Sequence, residues 1–307
     1  MSKRSSLFVL LAACASVGLG CSSSSPSTSK ECAGSTSEAL QTCASGTTSL
    51  GVDVSSYQGT VDWAQVKASG RAFAFVRVSD GKNTIDRKFA ANWPSVKNAG
   101  LVRGVYQFFR PAQDPIAQAH VLVDNVVAAG GIGPGDLPPV LDIETVDGQS
   151  SSVIIARAQT WLTEIETKLG VRPLVYTAAF MSQTIGTALA DHELWVANYG
   201  VTCPTMPDGW TAWRFWQNGD AGTVPGISGH VDTDLFNGTF AKLGELTIQP
   251  AAGSEGSPFT TPRSFDPVHV GGAIAKDGSE GASMGDGRDG QPPTEETTGA
   301  PIDPCAP

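Results

Sequence analysis

The segment Leu141-Asp142-Ile143-Glu144 sets two carboxylates two residues apart, alternating with apolar side chains. Residues i and i+2 of a strand share a face, so both acids are aimed at one space while Leu141 and Ile143 anchor the strand. Two like charges held close raise at least one pKa, which makes a protonated acid available near neutral pH. A carboxylic acid beside a carboxylate is the equipment for cleaving a glycosidic bond. The same short pattern also suits a solvated strand edge or an ion pair with an arginine, so its surroundings decide its weight. Asp53 and Asp232 are two further acids inside strand-like segments. The four histidines (120, 192, 230 and 269) have no ligand spacing, and neither H-E-x-x-H nor G-x-S-x-G occurs. The expectation is therefore no metal, no cofactor and no serine nucleophile.

These acids need elements to hold them. Gly51 to Ser55, Ala72 to Val78, Val102 to Phe109, Pro139 to Glu144 and Pro173 to Thr177 read as strands, rich in β-branched and aromatic residues. Helical segments follow them: Val61 to Ser69, Asp86 to Ala99, Asp114 to Ala129, Ser152 to Leu169, and a weak one ending at Leu189. Three further strands, Leu194 to Asn198, Ala212 to Gln217 and Val231 to Phe236, come without helices. Five βα units and three strands make eight, the number that closes a barrel; an open sheet fits the periodicity as well. In a (β/α)8-type barrel the chemistry lies at the C-terminal ends of the strands.

The 307 residues are 40% apolar and 16% charged, with a net charge of −10. All seven Trp and all four Tyr lie between Tyr57 and Trp216, which marks residues 50–245 as the folded domain. No basic patch supports nucleic-acid binding, and no internal apolar stretch reaches the ~18 residues of a membrane helix. Residues 1–20 read as an export signal, with Lys3 and Arg4 ahead of an apolar run. Cys21, after Gly18-Leu19-Gly20 and before four serines, resembles the lipidated cysteine of a bacterial lipoprotein. Cys14, after Leu11-Ala12-Ala13, competes for that role, and an ordinary secretory signal is the alternative to both. Residues 21–49 read as the lipidated Cys and a flexible Ser/Thr-rich linker. Residues 246–307, with ten Gly, nine Pro and nine acids against three bases, read as a disordered acidic tail. Cys32, Cys43, Cys203 and Cys305 allow three disulfide pairings, of which Cys32–Cys43 would be the local one.

Gly51-Val52-Asp53-Val54-Ser55-Ser56-Tyr57-Gln58-Gly59, with Val61-Asp62-Trp63 close behind, resembles the opening of the family-25 glycoside hydrolases, the N-acetylmuramidase lysozymes. The likeness continues in order through Phe73 to Arg77, Gly104-Val105-Tyr106, Leu141 to Glu144, Val175-Tyr176-Thr177 and Leu194 to Tyr199. It ends with Trp216-Gln217 and Gly229 to Phe236, so it spans residues 50 to about 243. No single element is specific; the ordered set is.

The resemblance implies a flattened, TIM-type α/β barrel whose last strands lack helices. It implies hydrolysis of the β-1,4 bond between N-acetylmuramic acid and N-acetylglucosamine in peptidoglycan. Glu144 matches the family's general acid. Asp142 matches its partner, which attacks C1 or orients the substrate's 2-acetamido group. Asp53 and Asp232 match the other acids of the cleft, with Asp234 competing for the place of Asp232. Tyr57, Tyr106, Tyr176, Trp195, Tyr199 and Gln217 are candidates for the saccharide groove, where rings stack on sugars and polar tips bind their edges. Trp63, Trp93, Trp161 and Trp213 are expected in the core. Two departures, Ser79-Asp80 for Thr-Glu and Gln107 for His, are expected near the cleft. The implied protein is an exported monomer acting on peptidoglycan glycan strands, membrane-bound only through a lipid anchor and facing the periplasm or cell surface. A non-catalytic peptidoglycan-binding barrel and a hydrolase of another N-acetylated glycan are the alternatives.

Overall fold

The computed structural model describes residues 39–250. Export signal, Cys14, Cys21, Cys32, Cys305 and the tail beyond residue 250 lie outside the described residues. The elements follow as β1 (Ser49–Val54), α1 (Trp63–Ala68), β2 (Phe73–Asp80), β3 (Thr84–Ile85), α2 (Phe89–Asn98), β4 (Val102–Phe108), α3 (Pro115–Ala128) and β5 (Val140–Asp142). Then come α4 (Ser151–Leu169), β6 (Leu174–Ala178), α5 (Ser182–Ile185), β7 (Leu194–Ala197), β8 (Phe215–Gly222), β9 (Val231–Phe236) and α6 (Phe240–Leu246). Local chemistry sets several ends. Asp62 caps α1 through Ala64 and Gln65 N–H, Asp114 caps α3 ahead of Pro115, and Gly170 closes α4 at a φ of 65°.

The strands run in the order β1-β9-β8-β7-β6-β5-β4-β2, and a β1–β2 pairing closes the ring. The result is the eight-stranded α/β barrel, five βα units followed by three strands lacking helices. β3 is an added two-residue hairpin partner of β2, and α6 follows the last strand. β9 runs antiparallel to both neighbours, so its first residues, not its last, reach the rim where the other strands end.

Alternation sorts the side chains. Phe73, Phe75, Trp195, Phe215 and Phe236 fill the barrel, with Trp195 stacked on Phe75 at 4.3 Å between centroids and Phe215 edge-on to Phe75 at 5.0 Å. Gly104 is needed there: a Cβ would lie 2.3 Å from the Phe75 ring. Val52, Val76, Val105, Leu141, Ile143 and Val175 point outward and pack with the helices. Trp63, Trp93, Trp161 and Trp213 are buried, as expected. Behind the sheet Arg103 is paired with Asp136 at 2.9 and 3.0 Å, lies 3.8 Å from the centroid of the Trp93 ring, and donates to the carbonyls of Trp93 and Gly131.

Three expectations need correction. Residues 39–48 are not free linker. Leu40 and Thr42 exchange backbone hydrogen bonds with Met206 and Pro204, Trp213 donates to Thr42 O, and Cys43 is joined to Cys203, not to Cys32. The loop between β7 and β8 supplies backbone partners that no local pairing could. The barrel domain also runs past residue 245, because Ile248 exchanges backbone bonds with Gly135 and Asp136. Ser79 and Gln107 lie away from the cleft. Both are fully buried, with Gln107 donating to Ser79 Oγ (2.7 Å) and Gln118 O (2.9 Å) and accepting from Trp161 Nε1 (2.6 Å). Among the described residues no helix is long and apolar enough to cross a membrane.

Candidate active site

The rim where the parallel strands end holds a cleft of about 350 Å³. It is lined by all four predicted acids, Asp53, Asp142, Glu144 and Asp232, and by Tyr57, Tyr106, Tyr176, Trp195, Tyr199 and Gln217. Topology explains the convergence. Asp53 near the end of β1 is the ladder partner of Asp232 near the start of β9. Asp142 ends β5 beside Phe108 of β4 and Tyr176 of β6. Glu144 lies two residues past that strand end, and Ile143 N–H still bonds Tyr176 O at 3.0 Å. Asp234 sits one inward position deeper than Asp232, buried, with its carboxylate accepting from Trp195 Nε1 at 2.9 Å. Asp232 therefore is the one at the cleft.

The six groove candidates divide in two. Tyr57 and Tyr199 are 84% and 42% exposed, with rings open to a ligand. Trp195, Tyr106 and Tyr176 are buried and form the floor, both tyrosines edge-on to the indole at 5.9 and 4.7 Å. Trp195 has one face on Phe75, so it braces the floor and offers no open platform. Gln217 ties the floor to the acids: Nε2 donates to Asp53 Oδ2 at 2.7 Å, and Oε1 accepts from Tyr176 and Tyr199 hydroxyls at 2.7 and 2.5 Å.

Asp53, Asp142, Glu144 and Asp232 are all pushed upward. Burial comes first in each case, with Asp232 adding to it at Asp53, Glu144 at Asp142, and Asp232 again at Glu144. Arg110 works against the rise at Glu144, and Gln217 and Tyr106 work against it at Asp53. Asp232 is pushed up to about 6 by burial and by Asp220. Burial and the nearby carboxylates also raise Tyr106, Tyr176 and Tyr199, which keeps their hydroxyls neutral donors. The arrangement can hold a proton near neutral pH beside a carboxylate. Among the described residues no group of three His, Cys, Asp or Glu side chains is arranged to hold a metal ion.

Sequence reasoning missed Ser55, Gln58, Arg77, Phe108 and Arg110, and noted Asp80 only as a departure. Arg77 and Phe108 were open to alternation, since Arg77 follows Phe73 and Phe75, and Phe108 follows Tyr106. Asp80 needed more. A register shift between Arg77 and Ser79 turns Ser79 outward and re-aims Asp80 into the cleft, where Arg110 grips it at 2.5 and 2.7 Å.

The sequence model of the glycosyl hydrolases family 25 matches residues 52–227. Lysozyme M1 of Streptomyces globisporus is 37% identical over 207 residues, 63% of this chain and 69% of that protein. The bacterial lysozyme structure from Streptomyces coelicolor superposes with a TM-score of 0.61 at 35% identity, covering 65% of this chain and 96% of the other. A family 25 lysozyme from Aspergillus fumigatus gives 0.60 at 29% identity, covering 66% and 100%.

Proposed function

Since the chain belongs to family 25 of the glycosyl hydrolases, and is a glycoside hydrolase, we propose that it is a muramidase cutting the β-1,4 bond between N-acetylmuramic acid and N-acetylglucosamine in peptidoglycan. The observation that carries this reading is the Asp142–Glu144 pair in a cleft with open aromatic rims. Both carboxyls are raised, and Glu144, the more open of the two, is the one placed to protonate the leaving oxygen and then activate water. Asp142, buried below it, supplies the charge that meets the anomeric carbon or orients the 2-acetamido group. Asp53 and Asp232 share the remaining proton traffic and bind sugar edges, while Tyr57 and Tyr199 stack on sugar faces. Of the departures that permit a non-catalytic barrel, Ser79 and Gln107 face away from the cleft, while Asp80 lines it and is held by Arg110.

In this reading the protein is exported, works as a monomer, and is held at a membrane surface by acyl chains on Cys21 rather than by a helix. Purified cell walls incubated with the wild type should release reducing ends, identified by mass spectrometry as N-acetylmuramic acid. Glu144→Gln should release them at least ~100-fold more slowly. Equal release by the two proteins, or new ends that are N-acetylglucosamine, would overturn the assignment.

A further inference from the structure

Two guanidinium groups, Arg77 and Arg110, stand among the five carboxylates that line the cleft. They differ in what they have left to give. Arg110 is spent: Nε and Nη2 clamp Asp80, and Nη1 reaches Asp147 at 3.4 Å. Arg77 uses Nε alone, on Asp86 Oδ2 at 3.2 Å. Asp86 is itself fixed, buried and accepting from the backbone N–H groups of Ser56 (2.8 Å) and Lys88 (2.9 Å). The Tyr57 ring lies 5.2 Å from the Arg77 guanidinium carbon. Among the described residues neither terminal amino group of Arg77 has a hydrogen-bond acceptor, and neither is sealed from solvent. Arg77 faces inward, in register with Tyr106.

A guanidinium held by one edge and one face, with its other donors open, is built for a planar oxygen pair. Most of the acids around it would repel an anionic ligand, so an anion can enter only where a cation meets it. Of the two sugars of a muramidase substrate, one bears a 3-O-lactyl group, which is amide-linked to the stem peptide in intact wall and is a free carboxylate where that peptide has been removed. We propose that Arg77 is a specificity-determining residue that receives this free lactyl carboxylate and so favours muramic acid stripped of its stem peptide over muramic acid whose lactyl group is amidated. The inference rests on the muramidase reading above.

The test uses the full chain and two peptide-free glycans of alternating N-acetylglucosamine and N-acetylmuramic acid. One has free lactyl carboxylates and the other has them methyl-esterified. The wild type should favour the free acid. Arg77→Met should lose about 10- to 100-fold in kcat/KM on the free acid, carried by KM, with little loss on the ester. Arg77→Lys keeps a cation beside Asp86 but loses the fork, and should keep part of the preference; it decides the matter if Arg77→Met does not fold. Equal losses on both glycans, or a preference unchanged in a folded variant, would overturn the proposal while leaving the muramidase reading intact. A wild type that cuts neither glycan would overturn this proposal; one that also releases no reducing ends from purified cell walls would overturn the muramidase reading with it.

Discussion

Gln217 donates to Asp53 at 2.7 Å, and that one amide joins the acid cluster to the aromatic floor. Both ends of the amide are engaged, because its oxygen takes the hydroxyls of Tyr176 and Tyr199. The side chain is therefore held in one orientation, with its N–H toward the carboxylate.

Replacing Gln217 by Leu should cost about 1–3 kcal/mol, since three buried or half-buried polar groups lose their partner. It also removes the donor that works against the rise at Asp53. The acid limb of the pH–rate profile should move to higher pH. Thermal melts and the profile of kcat/KM check the two halves of the prediction.

Asp232 should make the fold less stable as pH rises. Its carboxyl is at about 6 in the folded chain against an ordinary 3.8, so the folded state binds more protons within that window. Stability contributed by the protonated form is whole below pH ~4 and is lost by pH ~6. Asp232→Asn should match the wild type at pH 4 and exceed it at pH 7 by about 1 kcal/mol, discounting for partial exposure. Denaturation curves across that range read it directly.

Gly104→Ala would push a methyl group to 2.3 Å from the Phe75 ring, on which Trp195 stacks. A loss of about 1–3 kcal/mol is expected from overpacking. Because Trp195 braces Tyr106 and Tyr176, kcat should fall as well. Calorimetry and steady-state kinetics together separate this from a purely structural change elsewhere.

Ion pairs should divide sharply by depth. Asp136→Ala leaves Arg103 buried without its carboxylate and should cost about 3–5 kcal/mol. Glu193→Ala, which breaks the exposed pair with Arg214, should cost at most about 1 kcal/mol. Urea unfolding of the two variants makes the comparison.

Cys203→Ser should cost about 2–5 kcal/mol, because the bond to Cys43 closes a chain separation of 160 residues. Melting the wild type with and without reductant should reproduce the loss.

Alternation carried most of what could be read in advance. It set Asp142 in line with Glu144 and would also have placed Arg77 inward after Phe73 and Phe75, and Gln107 outward after Tyr106. It failed where the backbone breaks step. The shift after Arg77 exchanges the faces of Ser79 and Asp80, and nothing in the Val78-Ser79-Asp80 side chains announces it. The strap formed by residues 39–48 was hidden for another reason. Its bonds are mainly from the backbone, and small polar residues look the same whether or not they find partners. Arg110 follows the end of β4, beyond the reach of any periodic signal, and only the convergence of β2, β4 and the segment after β5 gives it Asp80 and Asp147.

Ser49, where the first strand begins, is paired with Phe236, where the last one finishes. The reversed β9 brings both points to the side of the barrel opposite the acids. The seam that closes the ring therefore has these two strand ends on the face away from the acids, and neither stands in the path of a long polymer approaching them.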